Sequence, residues 1–128
     1  MQQPVHRTPG FALPAGALLG AAAVALGAFG AHALKGRYDE AALGTFEVGV
    51  RYQMYHALAL VLCGALQAIG WRTKLAATLF VAGTALFSGS LYGLALADLR
   101  WLGPVTPVGG LAFLAGWVAL AFAPRKPA

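Results

Sequence analysis

Four stretches of this chain contain no Asp, Glu, Lys or Arg: Phe11 to Leu34, Tyr52 to Gly70, Leu75 to Ala97 and Leu102 to Ala123. A helix rises about 1.5 Å per residue and the hydrocarbon core of a bilayer is about 30 Å thick, so a span needs roughly 20 apolar residues. Each stretch has that length. In lipid an isolated segment must bond every backbone N–H and C=O to itself, which only a helix does. Transmembrane barrels are built from alternating strands of about ten residues, a pattern the chain lacks. The sequence therefore predicts an all-α, four-helix transmembrane bundle forming a single domain, residues 1–128.

Composition agrees. The chain is 59% hydrophobic and 10% charged over 128 residues, against about one-quarter charged in soluble domains. A soluble protein of this size has too little interior to bury so much apolar surface. The net charge of +5 does not mark a nucleic-acid binder, because the basic residues sit at the ends of apolar stretches and not in a stripe. They suit orientation and contact with membrane lipid. One cysteine, Cys63, allows neither an internal disulfide nor a cysteine-based metal site.

The small residues are placed for packing. In the first span Gly16, Gly20, Ala23, Gly27 and Gly30 recur alternately four and three residues apart, which lines one helix face. In the third, Ala76, Gly83, Ser90, Gly93 and Ala97, spaced seven, seven, three and four apart, line one face as well, and Gly109, Ala112, Gly116, Ala119 and Ala123 alternate three and four apart in the fourth. Lipid offers no hydrophobic drive between helices, so close backbone approach along such seams supplies the contact. Prolines avoid the span centres: Pro4, Pro9 and Pro14 precede or open the first, Pro104 and Pro107 open the last, and Pro124 and Pro127 follow it.

The connection from Lys35 to Arg51 is helical from about Asp39, with Leu43, Phe46 and Val50 on one face and Glu40, Glu47 and Arg51 on the other. Two readings stand. It is an amphipathic interfacial helix over 39–51, with a bend at Gly49, or a plain N-terminal extension of span two. The first span also has features of a signal peptide, with Arg7 ahead of it and Ala31-His32-Ala33 as a small-x-small site. Its apolar stretch is too long for that, and it carries a packing seam.

Four spans place the N-terminal tail, the Trp71–Lys74 turn and the C-terminal tail at one membrane face, with Arg7, Arg72, Lys74, Arg125 and Lys126 and no acid. The other face has Lys35, Arg37, Arg51 and Arg100 with Asp39, Glu40, Glu47 and Asp98. Counting basic residues alone, five against four puts both termini in the cytoplasm. The second face also gathers a polar cluster: His32, Glu47, Arg51, Tyr52, Gln53, His56, Ser90, Tyr92 and Asp98. Ionisable and amide groups at membrane depth mark functional positions, and histidine serves as proton relay, metal ligand or haem ligand. Structural roles compete with these. His32 caps a helix end, His56 bonds between helices, Glu47 and Arg51 form an i, i+4 pair, and the Tyr and Trp residues form an interfacial belt.

No H-E-x-x-H, phosphate-binding loop, nucleophile elbow or paired-cysteine motif is present. Catalytic residues, metal ligands and cofactors are expected to be none. The runs Gly27-Ala28-Phe29-Gly30-Ala31-His32-Ala33-Leu34, Tyr52-Gln53-Met54-Tyr55-His56-Ala57-Leu58-Ala59-Leu60, Phe87-Ser88-Gly89-Ser90-Leu91-Tyr92 and Thr106-Pro107-Val108-Gly109-Gly110, with Gly116-Trp117, resemble the YgdD-like family of small bacterial inner-membrane proteins, a domain of unknown function. The resemblance implies a four-helix inner-membrane protein with an uncleaved first span, and no established activity. The leading functional expectation is a non-enzymatic protein that packs with a second copy or a larger membrane partner. Transport of a proton, small molecule or lipid through a polar half-channel is the alternative, and haem or quinone binding by His32 and His56 a second one.

Overall fold

The computed structural model describes residues 10–127, so Pro4, Arg7 and Pro9 lie outside the described residues. The chain folds as α1 (Ala12–His32), α2 (Glu40–Ala68), α3 (Lys74–Ala97) and α4 (Val105–Ala121), with a short 3-10 turn, Arg100–Leu102, leading into α4. No strand occurs among the described residues.

Helix ends follow from local chemistry. Asp39 is extended at the start of α2 and its Oδ1 accepts from the Ala42 N–H at 2.8 Å, a helix N-cap with Glu40 in the first turn behind it. At the other end Trp71 N–H bonds Leu66 O and Gly70 N–H bonds Gln67 O, with Gly70 at φ +99. This is the Schellman closure, which needs a left-handed residue that glycine supplies without strain. α3 ends on Asp98 at φ 49, a left-handed position held here by a residue with a Cβ.

α2 is one uninterrupted helix of 29 residues, about 43 Å long at 1.5 Å per residue. No separate interfacial helix forms. Gly49 is not a break but a contact, since a Cβ there would lie 2.8 Å from the Tyr92 ring. Three helical segments are long and apolar enough to cross a membrane: Ala12–His32, Lys74–Ala97 and Arg100–Ala121. The second half of α2 is more polar because Gln53, His56 and Gln67 lie along it.

Each helix packs on the next, α1 on α2, α2 on α3 and α3 on α4, while α1 and α4 form no interface among the described residues. The four do not close into a ring. α2 and α3 make the centre, and α1 and α4 flank it with largely uncovered outer faces, including Leu18 at 72% exposure and Leu114 at 64%. The seams expected from the sequence are used within the chain. A Cβ on Gly16 would lie 2.6 Å from Ala57 O and 2.9 Å from Leu60 Cβ on α2. Across the other interface the Phe113 ring lies over Gly83 and the Phe80 ring over Gly116, so each helix gives the other a hole for a phenylalanine. The buried core comprises Ala12, Ala59, Leu60, Cys63, Ala76, Ala77, Phe80 and Phe113.

The ends are tied. At one, the C-terminal tail bonds the α2–α3 turn, with Arg72 N–H to Pro124 O and Lys126 N–H to Gly70 O, both 2.8 Å. At the other, Tyr38 in the α1–α2 connection donates to Leu96 O near the end of α3 at 3.1 Å.

Candidate functional site

Seen from its neighbours, α2 presents polar side chains in two directions. Gln53 is 4% exposed. Its Nε2 donates to Leu19 O on α1 at 2.9 Å, and its Oε1 accepts from the Tyr92 hydroxyl on α3 at 2.7 Å. One amide thus ties three helices. Beside it, the Ser88 hydroxyl donates to the Gly49 carbonyl at 2.7 Å.

His56, also 4% exposed, looks the other way. Its Nδ1 is 2.7 Å from Tyr52 O and its Nε2 is 3.1 Å from Trp117 Nε1. A carbonyl can only accept and an indole N–H can only donate, so the two partners fix the neutral Nδ1–H tautomer. The ring lies parallel to Phe113 at 3.5 Å between centroids, with Phe80 at 5.5 Å. No lone pair on His56 is left for a metal or haem iron, and no N–H is left to pass on. Further along, Ser90 bonds the Phe87 carbonyl at 2.8 Å and the Thr106 hydroxyl. Because the serine has one proton, Thr106 is the donor in the second bond. Among the described residues, no buried side-chain nitrogen or oxygen lacks a partner.

The nine clustered residues therefore do not form one site. Gln53 and Tyr92 join α1, α2 and α3, His56 and Tyr52 face α4, and Ser90 joins α3 to the start of α4. Glu47 and Arg51 make an exposed 2.8 Å pair, and Asp98 is an exposed helix end beside Arg100 at 3.3 Å. His32 is exposed at the end of α1 and shares no hydrogen bond, ring contact or cavity with His56. No group of three or more His, Cys, Asp or Glu side chains is disposed to hold a metal ion among the described residues.

What the neighbours of His56 enclose is a cleft of about 740 Å³ between α2 and α4, floored by Phe87 of α3. Tyr52, Tyr55 and His56 form one wall, and Pro107, Gly110, Leu111, Phe113, Leu114 and Trp117 the other. Tyr55 is 52% exposed and Trp117 44%. Pro107 and Trp117 are ten residues apart, so the cleft runs about 15 Å along α4. Trp117 is the partner that the sequence-based cluster omits. An indole N–H deep in a span must find an acceptor, and that requirement was the available signal.

A family described as a protein of unknown function (DUF423) matches residues 26–110. The chain belongs to this family. Among its relatives, the UPF0382 membrane protein YwdK of Bacillus subtilis is 44% identical over 87% of this chain and 93% of its own length. The UPF0382 inner membrane protein YgdD of Escherichia coli is 43% identical over 88% of each chain. A UPF0382 membrane protein of Staphylococcus haemolyticus is 44% identical over 82% of this chain and 87% of its own. No solved structure matches. This DUF423 chain is accordingly a membrane protein, and three of its helical segments are long and apolar enough to cross a membrane. The family match includes all nine residues of the polar cluster and stops short of Trp117.

Proposed function

We propose that this DUF423 protein is a non-enzymatic, four-span protein of the bacterial plasma membrane that binds a membrane partner sideways through the aromatic cleft between α2 and α4. The observation that carries this reading is the aromatic-lined cleft itself, about 740 Å³, in a molecule whose small-residue seams and, among the described residues, buried polar groups are engaged internally. Exposed aromatic side chains around a recess are what a docking partner uses most. The half-channel alternative gains no path from the two histidines, because His32 stands apart and the polar atoms of His56 face Tyr52 and Trp117.

In this placement α2 is the fourth span. Its length exceeds the hydrocarbon thickness by more than 10 Å, so the stretch from Glu40 to Arg51 emerges at the interface as an extension of the helix. By sequence the opposite end takes Arg7, Arg72, Lys74, Arg125 and Lys126, five basic residues against four, which favours that end, and with it both termini, in the cytoplasm.

A photoreactive amino acid in place of Tyr55, activated in intact bacterial membranes, tests the cleft. The expected result is an adduct of defined mass, absent when the same group replaces the outward-facing Leu18 and lost when Gly110→Trp fills the cleft. Free monomer at both positions refutes the reading.

A further inference from the structure

A second recess lies at the opposite side of α2 from the cleft, where the end of α1 meets the first turns of α2. It encloses about 470 Å³ and is lined by Gly27, Gly30 and Ala31 of α1, by Lys35, and by Leu43, Phe46, Glu47 and Val50 of α2. Its polarity is graded. Gly27 and Val50 form the inner end, Lys35, just past the end of α1, brings a cation to the outer end, and Glu47, one turn before Val50 on α2, adds a carboxylate to the lining. The α1 wall of the groove is made of glycine and alanine, and that wall packs closely on α2 at Gly30. A Cβ on Gly30 would already lie 2.8 Å from the Phe46 ring.

Lys35 has no carboxylate partner among the described residues. Glu47 accepts from Arg51 through Oε1 only, leaving Oε2 free of side-chain partners among the described residues. One cation and one anion therefore line the same apolar groove without pairing with each other. We propose that this groove is a binding site for a zwitterionic glycerophospholipid whose headgroup carries a phosphate and a primary ammonium. Lys35 takes the phosphate, Glu47 takes the ammonium, and an acyl chain lies along Gly27, Gly30, Phe46 and Val50. The proposal rests on the four-span placement, which sets this end of the molecule at the membrane interface.

Charge decides the headgroup class. This end of the protein has four basic residues, Lys35, Arg37, Arg51 and Arg100, and four acidic ones, Asp39, Glu40, Glu47 and Asp98, so it has no net attraction for anionic lipid. A phosphatidylglycerol headgroup would bring Glu47 a hydroxyl where a cation is needed. A choline headgroup brings a cation with no N–H to donate to the carboxylate.

The test is native mass spectrometry of the full chain released from detergent with equimolar phosphatidylethanolamine, phosphatidylglycerol and phosphatidylcholine. Wild type should retain phosphatidylethanolamine roughly three- to tenfold over either other lipid, the discrimination one or two charge-assisted hydrogen bonds at an interface supply. Lys35→Gln should lower retention of all three. Glu47→Gln should abolish the preference for ethanolamine over choline while choline lipid is still retained. Both positions are exposed, and a far-UV circular dichroism spectrum confirms that each variant is folded. Wild type also provides a variant-free check, since retention should fall stepwise as the ammonium is mono-, di- and trimethylated. Equal retention of the three lipids, a preference for phosphatidylglycerol, or indifference to methylation overturns the headgroup site and leaves the four-span placement standing.

Discussion

Gly109 and Gly110 are neighbours on α4, and the structure gives them opposite tolerance for one added methyl group. A Cβ on Gly109 would meet the backbone of Phe87, 2.8 Å from its Cα. Main chain has no rotamer to move aside, so the helices themselves must part. On Gly110 the nearest atoms would be Cδ2 and Cε2 of the Phe87 ring, at 3.9 and 4.0 Å, which is ordinary contact. Overpacking of this kind costs about 1–3 kcal/mol, and alanine is favoured over glycine in a helix by up to about 1 kcal/mol. The propensity term is common to both sites, so comparing Gly109→Ala with Gly110→Ala cancels it and leaves the steric term. Gly110→Ala should be neutral or slightly stabilising, with Gly109→Ala less stable than it by about 1–3 kcal/mol. Reversible unfolding in bicelles, by steric trapping or by SDS titration followed by circular dichroism, measures both. A difference under about 0.5 kcal/mol would show that α3 and α4 do not approach at Gly109 as described, because that is the spread of contact-free surface substitutions.

A double-mutant cycle of Gln53→Leu and Tyr92→Phe should give a coupling of about 0.6–1.7 kcal/mol, the range for side-chain hydrogen bonds between membrane helices; strictly additive single effects mean that the 2.7 Å bond is absent. In the same unfolding assay Gln53→Leu should be the more damaging single change, since it also removes the donor to Leu19 O. Asp98→Gly should raise stability by up to about 1 kcal/mol, because glycine accepts the left-handed φ of 49 without the Cβ penalty; a loss of similar size would mean that the Asp98 carboxylate matters more than the backbone.

The four long helices and the faces their small residues occupy were legible in the sequence because each rests on short-range periodicity, whereas the separate interfacial helix over 39–51 was not, because α2 runs unbroken from Glu40 to Ala68. Gly16, Gly83, Gly109 and Gly116 are buried as the spacing requires. The polar cluster was legible only as a list. Spacing assigns residues to a face of a helix, and Gln53 and His56, three positions apart, are only about 60° apart around α2. That angle is enough to separate them when α2 has helices on more than one side: Gln53 meets α1 and α3, and His56 meets α4. Asp98 was misread for a different reason. Its charge suggested chemistry, but its place is set by the left-handed turn that ends α3, a conformation in which Asp is among the commoner residues after glycine.

The cleft follows from the same packing that the glycines create. On the side where α3 and α4 touch, Gly83, Gly109 and Gly116 bring the backbones together and interlock Phe80 and Phe113. α4 also reaches α2, but there the intervening residues are rings: Tyr52 lies 4.8 Å from Phe87 between centroids, Phe87 5.4 Å from Phe113, and His56 is sandwiched against Phe113. Rings of that size hold α2 and α4 apart while the glycines draw α4 onto α3, so the space between α2 and α4 cannot close. The bond from Trp117 to His56 spans that gap near its deep end. It satisfies two polar groups that lipid would leave unpaired, and it fixes the indole at the wall of the cleft. The histidine that the sequence marked as a candidate for chemistry thus has a structural place, fixing Trp117 and stacking on Phe113 in the wall of the cleft.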